Sequence, residues 1–219
     1  MKDSSRAEQP AENSGVCVEL SSMQPPMAAT ATPVAVDVTS LSFLKKLYGT
    51  GRHLMPSRRT ALEAICDGFF AWVGIAVLAL LHTLCVRQSL LQLVPSFGAS
   101  AVLVFGVPSS PLAQPRNLVF GNLVSAFCGV AVAKIFSGSL QWLASALAVG
   151  TAVVFMGLLG VAHPPGGATA LIAVIGGPSV EEQGWLYMVQ PILTGSLVLL
   201  VTALLCNNLH RWRSYPSYW

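Results

Sequence analysis

The chemistry available to this chain is concentrated in one stretch, His163-Pro164-Pro165-Gly166-Gly167-Ala168-Thr169-Ala170, which lies between two long apolar segments. An imidazole with an ordinary pKa of about 6.5 changes charge near neutral pH, so His163 could carry a proton or donate a hydrogen bond to an anion. Pro164 and Pro165 remove two N–H donors and push the preceding residues out of the α region, while Gly166 and Gly167 permit close backbone approach. That combination predicts a helix break. After it, Ala168 to Ile175 reads as a short apolar helix whose first turn carries Thr169 and a row of unpaired N–H groups, a setting that favours an anion. A purely structural reading stands beside this one. Pro and Gly are common in membrane helices, a Gly-rich kink serves close packing, and a helix-terminal histidine can cap carbonyls. For His163 the functional reading is preferred, because an ionisable group at membrane depth is a functional-site candidate by default.

Displacing the chain by 69 residues lays Pro95, Gly98, Ala99, Ser100 and Ala101 over Pro164, Gly167, Ala168, Thr169 and Ala170. Both stretches continue as a short apolar helix and end in Pro-Ser, and each is preceded and followed by a long apolar segment. The shared order reads as an internal repeat. If the short helices cross, the second half is inverted, and two discontinuous helices face each other near the midplane. If they dip in and return, there are four crossings and the repeat is parallel. On the first alternative Ser96, Phe97, Gly98, Ala99 and Ser100, together with His163 to Thr169, line a pocket for a small anion. The hydroxyls of Ser100 and Thr169 are also expected to cap their helices. The loop between the halves offers Gln114, Arg116 and Asn117 as an entrance, or as groups that simply satisfy turn backbone. Asn122 reads as an interhelical hydrogen bond, and His82 as an interfacial histidine.

The elements that must position these residues are transmembrane. Of 219 residues, 53% are apolar and only 10% charged, whereas a soluble domain would carry roughly a quarter charged residues. Between Cys66 and Cys206 the acids are Asp67, Glu181 and Glu182, and the bases beside His82 and His163 are Arg87, Arg116 and Lys134. This argues against an enzyme, which would need a nucleophile, metal cluster or paired acid beside His163. No metal site or cofactor is expected, and the cysteines fit neither a disulfide framework nor a zinc site. With a net charge of +3 and no Lys/Arg run interleaved with aromatics, nucleic acid is set aside as a partner. The expected partners are the lipid bilayer, a small anion, a proton and a second copy of the chain.

In chain order, residues 1–41 are polar and expected to be disordered. Residues 42–60 form a basic juxtamembrane segment, 61–209 the transmembrane domain, and 210–219 a tail in which Arg211, Trp212, Arg213, Tyr215, Tyr218 and Trp219 act as interfacial anchors. The fold class is an all-α membrane bundle of four long transmembrane helices and two short broken ones. The long segments are Cys66 to Val86, Leu118 to Phe136, Leu140 to Ala162 and Trp185 to Cys206, the last with Trp185 and Tyr187 at an interface. The short ones lie within Pro95 to Val107 and after His163, and a small acidic loop carries Glu181 and Glu182. The basic N-terminal flank and the basic tail put both termini on the cytoplasmic side. Acids in the first forty residues make that segment unlike an organelle transit peptide.

The chain resembles the HPP family of integral membrane proteins. The resemblance rests on Ser96-Phe97-Gly98-Ala99-Ser100, Pro111-Leu112-Ala113-Gln114-Pro115-Arg116-Asn117 and His163-Pro164-Pro165-Gly166-Gly167-Ala168-Thr169-Ala170. It covers about Thr60 to Leu209. The family is usually described as having four transmembrane helices, and some plant and cyanobacterial relatives are described as nitrite transporters. The resemblance implies a transporter or channel for a small anion, with nitrite the leading candidate. A non-transporting membrane scaffold or assembly protein is the alternative, ahead of an intramembrane enzyme using His163.

Overall fold

The computed structural model describes residues 59–85, 94–136, 140–209 and 213–219. The polar segment 1–41, most of the basic segment 42–60, and Arg87, Arg211 and Trp212 lie outside the described residues. The first helix, α1 (Ala61–Cys85), begins before the apolar run at Cys66 because Thr60 starts it. The Thr60 backbone N–H donates to Glu63 Oε2 (2.9 Å), and the Glu63 N–H donates to Thr60 Oγ1 (3.3 Å), a reciprocal cap on the first turn. The short helix α2 (Ser96–Gly106) follows. A 3₁₀ turn, Pro111–Ala113, and a π turn, Asn117–Gly121, then lead into α3 (Asn122–Ile135).

Next comes α4 (Gln141–Leu159), closed by Gly160 at φ +64°, the left-handed position that ends many helices and suits glycine. The second short helix, α5 (Pro165–Ile175), starts earlier than the expected Ala168, since proline is pre-organised for a first helical position and lacks only an N–H that would be idle there. The acidic loop is in fact a helix, α6 (Pro178–Gln183). A π turn, Met188–Leu193, interrupted at Gln190 and Pro191, precedes α7 (Thr194–Asn208). Among the described residues four helical stretches are long and apolar enough to cross a membrane: Ala61–Leu84, Asn117–Ile135, Gln141–Leu159 and Met188–Asn208.

Contacts at the helix ends show which of them lie together. Arg59 Nη2 donates to Gly106 O (3.0 Å), Arg213 Nη1 to Phe105 O (3.3 Å) and Tyr215 Oη to Ala113 O (2.8 Å). The start of α1, the end of α2 and the segment after α7 therefore share one end of the bundle. Arg116 Nη2 donates to Leu159 O (3.0 Å), which brings the end of α4 back to that same end. At the other end a Cβ on Gly184 would lie 3.4 Å from Lys134 Nζ, so α3 finishes beside the segment that leads from α6 to α7. By these contacts α2 runs toward the end that carries Arg59 and α5 toward the opposite end, and the two are the short apolar helices of the bundle. At 1.5 Å per residue each rises only about 16 Å, against a hydrocarbon core of about 30 Å. Each by itself is therefore too short to span such a core.

Packing divides the helices into two groups, α1 with α2 and α7, and α4 with α5 and α3. Small residues let the backbones close in. A Cβ on Gly129 of α3 would sit 2.7 Å from Ala173 Cβ of α5, and the Phe97 ring of α2 fills the space beside Gly195 of α7. The outer faces of α1 and α4 expose Trp72, Leu80, Leu84, Trp142, Val153 and Leu158, surfaces suited to lipid rather than water.

Candidate functional site

The two short helices meet near their starts. Ser100 Oγ of α2 lies 2.9 Å from His163 Nε2, and His163 Nδ1 lies 3.0 Å from Leu112 O. A carbonyl only accepts, so Nδ1 carries the proton and Nε2 accepts from the Ser100 hydroxyl. Both side chains are fully buried. Adjacent to this pair, Thr169 Oγ1 donates to Asn122 Oδ1 (2.9 Å), and Asn122 Nδ2 donates to Leu118 O (2.9 Å) and Ser196 Oγ (3.4 Å). Tyr187 Oη donates to Thr169 O (3.1 Å), and Ser125 Oγ donates to Met156 Sδ (3.4 Å). The result is a polar core that ties both helix groups together in an otherwise apolar bundle. The buried hydroxyl of Ser96, the first residue of α2, has no hydrogen-bond partner among the described residues.

Several sequence expectations need correcting at this junction. The first-turn amides are not free: Gly166 N donates to His163 O (2.8 Å), Gly167 N to Pro164 O (3.0 Å), Phe97 N to Val94 O (3.0 Å) and Gly98 N to Pro95 O (3.1 Å). Tight turns have already used these donors. Neither short helix has a side-chain cap, because the cap positions are Pro95 and Pro164; Ser100 and Thr169 lie more than a turn inside, where they bond His163 and Asn122. The glycines also divide differently from expectation. Beside a Cβ on Gly166 lie Ser125 Oγ, Gly121 O (3.1 Å) and Met156 Sδ (3.2 Å), whereas a Cβ on Gly167 meets only Val149 Cγ1 at 3.9 Å and one on Gly98 meets nothing. Gly98 and Ala99 face outward and Pro164 is exposed, while Phe97, Pro165 and Gly166 are buried and Gly167 and Ala168 half-buried.

The expected entrance is a clasp. Gln114 is fully buried; its Nε2 donates to Pro108 O (3.0 Å) and Ser110 O (2.8 Å), and its Oε1 accepts from Ser217 N (2.8 Å). Asn117 Nδ2 donates to Ala162 O (2.8 Å), and Arg116 is the one member of the three left exposed. Asn122 does make the interhelical bonds expected of it. Tyr187 and Tyr215, expected at the interfaces, are fully or almost fully buried with their hydroxyls bonded to backbone carbonyls. The sequence pointed to Asn122 as a bonded residue, but Ser196 and Tyr187 carried no spacing that marked them as members of one network. Among the described residues no cluster of three or more His, Cys, Asp or Glu gathers in metal-binding geometry.

Comparison with known proteins matches residues 56–216 to a family model described as HPP, transmembrane region. Two proteins of Dictyostelium discoideum, each named only as a transmembrane protein, are similar to this chain. One is 44% identical over 184 residues, covering 82% of this chain and 64% of its own length, and the other is 49% identical over 191 residues, covering 85% and 60%. The chain thus spans less than two thirds of the length of these relatives. No solved structure matches it. With the family model covering both short helices and the loop that joins α2 to α3, this chain belongs to the HPP transmembrane family.

Proposed function

We propose that this protein is a transporter or channel for a small anion, and that the solute passes the junction where α2 and α5 begin. The observation that carries the proposal is the buried polar core, from Ser100 and His163 to Thr169, Asn122 and Ser196, at the start of two short helices that run to opposite ends of the bundle. Broken helices at mid-depth are the membrane setting in which anions are held. The matching packing of α1 with α2 and α4 with α5 supports reading the halves as an inverted repeat. Hydrogen bonds from Ser100 to His163, Asn122 to Ser196, and Tyr187 to Thr169 join the two helix groups. Passage requires them to exchange, with His163 Nε2 and the Asn122 amide freed to face a solute. Protonation of His163 would turn Nε2 into a second donor, which gives proton coupling a physical route.

The end that carries Arg59, Arg116 and Arg213 is proposed to face the cytoplasm. Nitrite is the first solute to test, on the resemblance stated above. The test is reconstitution into proteoliposomes with a panel of small anions, with and without a pH gradient. Saturable uptake that falls at least tenfold in Asn122→Leu protein still present in the membrane is expected. Absence of flux for every anion under both gradients would refute the proposal. A scaffold is the second reading, favoured by one observation: the polar groups of the junction, Ser96 apart, satisfy one another without a solute. An enzyme has less support, since both ring nitrogens of His163 are engaged.

A further inference from the structure

A cavity of about 610 Å³ opens between α3, α4, α5 and α6 at the end of the bundle opposite Arg59 and Arg213, lined in part by Lys134, Gln141, Glu181, Val130 and Ala173. Lys134 is exposed, its Nζ lies 6.0 Å from the centre of the Trp185 ring, and no described carboxylate lies within 4.0 Å of it. The floor, at Val130 and Ala173, sits on the close contact of Gly129 with Ala170 and Ala173. Counted along α3 and α5 at 1.5 Å per residue, it stands about 6 to 12 Å above Thr169 and Asn122. Cavity, tight contact and polar core therefore lie in that order along a single seam between two helices that run side by side.

We propose that this cavity is the aqueous vestibule through which a small inorganic anion reaches the junction. Lys134 is the group that recruits the anion, Glu181 opposes it, and the contact of Gly129 with Ala170 and Ala173 is the constriction closed in this state. The inference rests on the transporter reading and relocates the entrance from Gln114, Arg116 and Asn117 to the other end of the molecule. A unit charge about 6 Å from a solute in water changes its local concentration roughly threefold, and salt screens the effect.

Two measurements on the reconstituted full chain, with nitrite as the probe anion, test it. In the first, Ala133→Cys and Val174→Cys, both in the cavity lining, are made in a background with native cysteines replaced and treated with a membrane-impermeant thiol reagent. Labelling at both positions from the face opposite Arg59 and Arg213 is expected, and no labelling from that face would overturn the proposal. In the second, Lys134→Gln should raise the KM for uptake roughly threefold at low salt and Glu181→Gln should lower it similarly, both without change in maximal rate and both fading at high salt. Unchanged KM in both variants, in protein that transports, refutes the vestibule and leaves the transporter reading standing. Labelled cysteines in protein that transports no anion refute both.

Discussion

Gly166 and Gly167 stand next to each other in the first turn of α5, and the structure gives substitutions at them opposite signs. Replacing glycine with alanine inside a helix gains up to about 1 kcal/mol from backbone propensity. At Gly167 that gain is unopposed, because the nearest foreign atom to the new Cβ is Val149 Cγ1 at 3.9 Å. At Gly166 the new Cβ is forced onto Ser125 Oγ and stands 3.1 Å from Gly121 O, a backbone atom that cannot swing aside, and overpacking of this kind costs about 1–3 kcal/mol. Gly167→Ala should therefore stabilise by up to about 1 kcal/mol, and Gly166→Ala should be between neutral and about 2 kcal/mol destabilising. At about 2–4 °C per kcal/mol for a domain of this size, the two melting midpoints should separate by about 2 to 12 °C. The assay is thermal unfolding of detergent-solubilised protein followed by loss of the monodisperse chromatographic peak. Adding Ser125→Ala to Gly166→Ala should recover part of the loss, since it removes the nearest obstacle. Midpoints within a degree of each other, or a Gly167→Ala variant less stable than Gly166→Ala, would show that the α3–α5 seam is not packed as described.

Two further outcomes follow from the polar contacts. Thr169→Val and Asn122→Leu should each destabilise by about 1–2 kcal/mol, and a double-mutant cycle should return a coupling of about 0.6 kcal/mol or more; additivity in chemical unfolding would mean that the bond is not made. Arg213 donates to Asp67, and its side chain is almost wholly buried. Arg213→Met should be more damaging than Arg213→Met with Asp67→Asn, by about 1 kcal/mol in the same assay, because the single change leaves the Asp67 carboxylate only the long 3.9 Å ion pair to Arg59. Equal stability of the two would contradict the pairing.

Much of the fold follows from the sequence for one physical reason: in a bilayer, apolar length decides where helices lie. The four long segments could be found by length and hydropathy, and the two short ones by proline and glycine at their starts. Helix boundaries shifted where local chemistry outside the apolar run took over, as with the Thr60 cap that begins α1 and Pro165 that begins α5. The end toward which each short helix runs was not legible, because it is fixed by contacts between distant segments, such as Arg59 with Gly106 and Lys134 with Gly184.

The candidate site divides along the same line. Sequence alone marked His163, Ser100, Thr169 and Asn122, because polar groups in an apolar span must find partners. It could not say which partners. His163 finds Ser100 across 63 positions and Asn122 finds Ser196 across 74, and pairings of that range exist only once helices have packed. For the same reason Gly166 was indistinguishable from Gly167 in the sequence: one residue along a helix turns a side chain by about 100°, which separates a position pressed against α3 from one open to the neighbouring space. Gln114, polar and in a loop, read as an entrance residue, and the C-terminal tail that folds over it made it part of the interior.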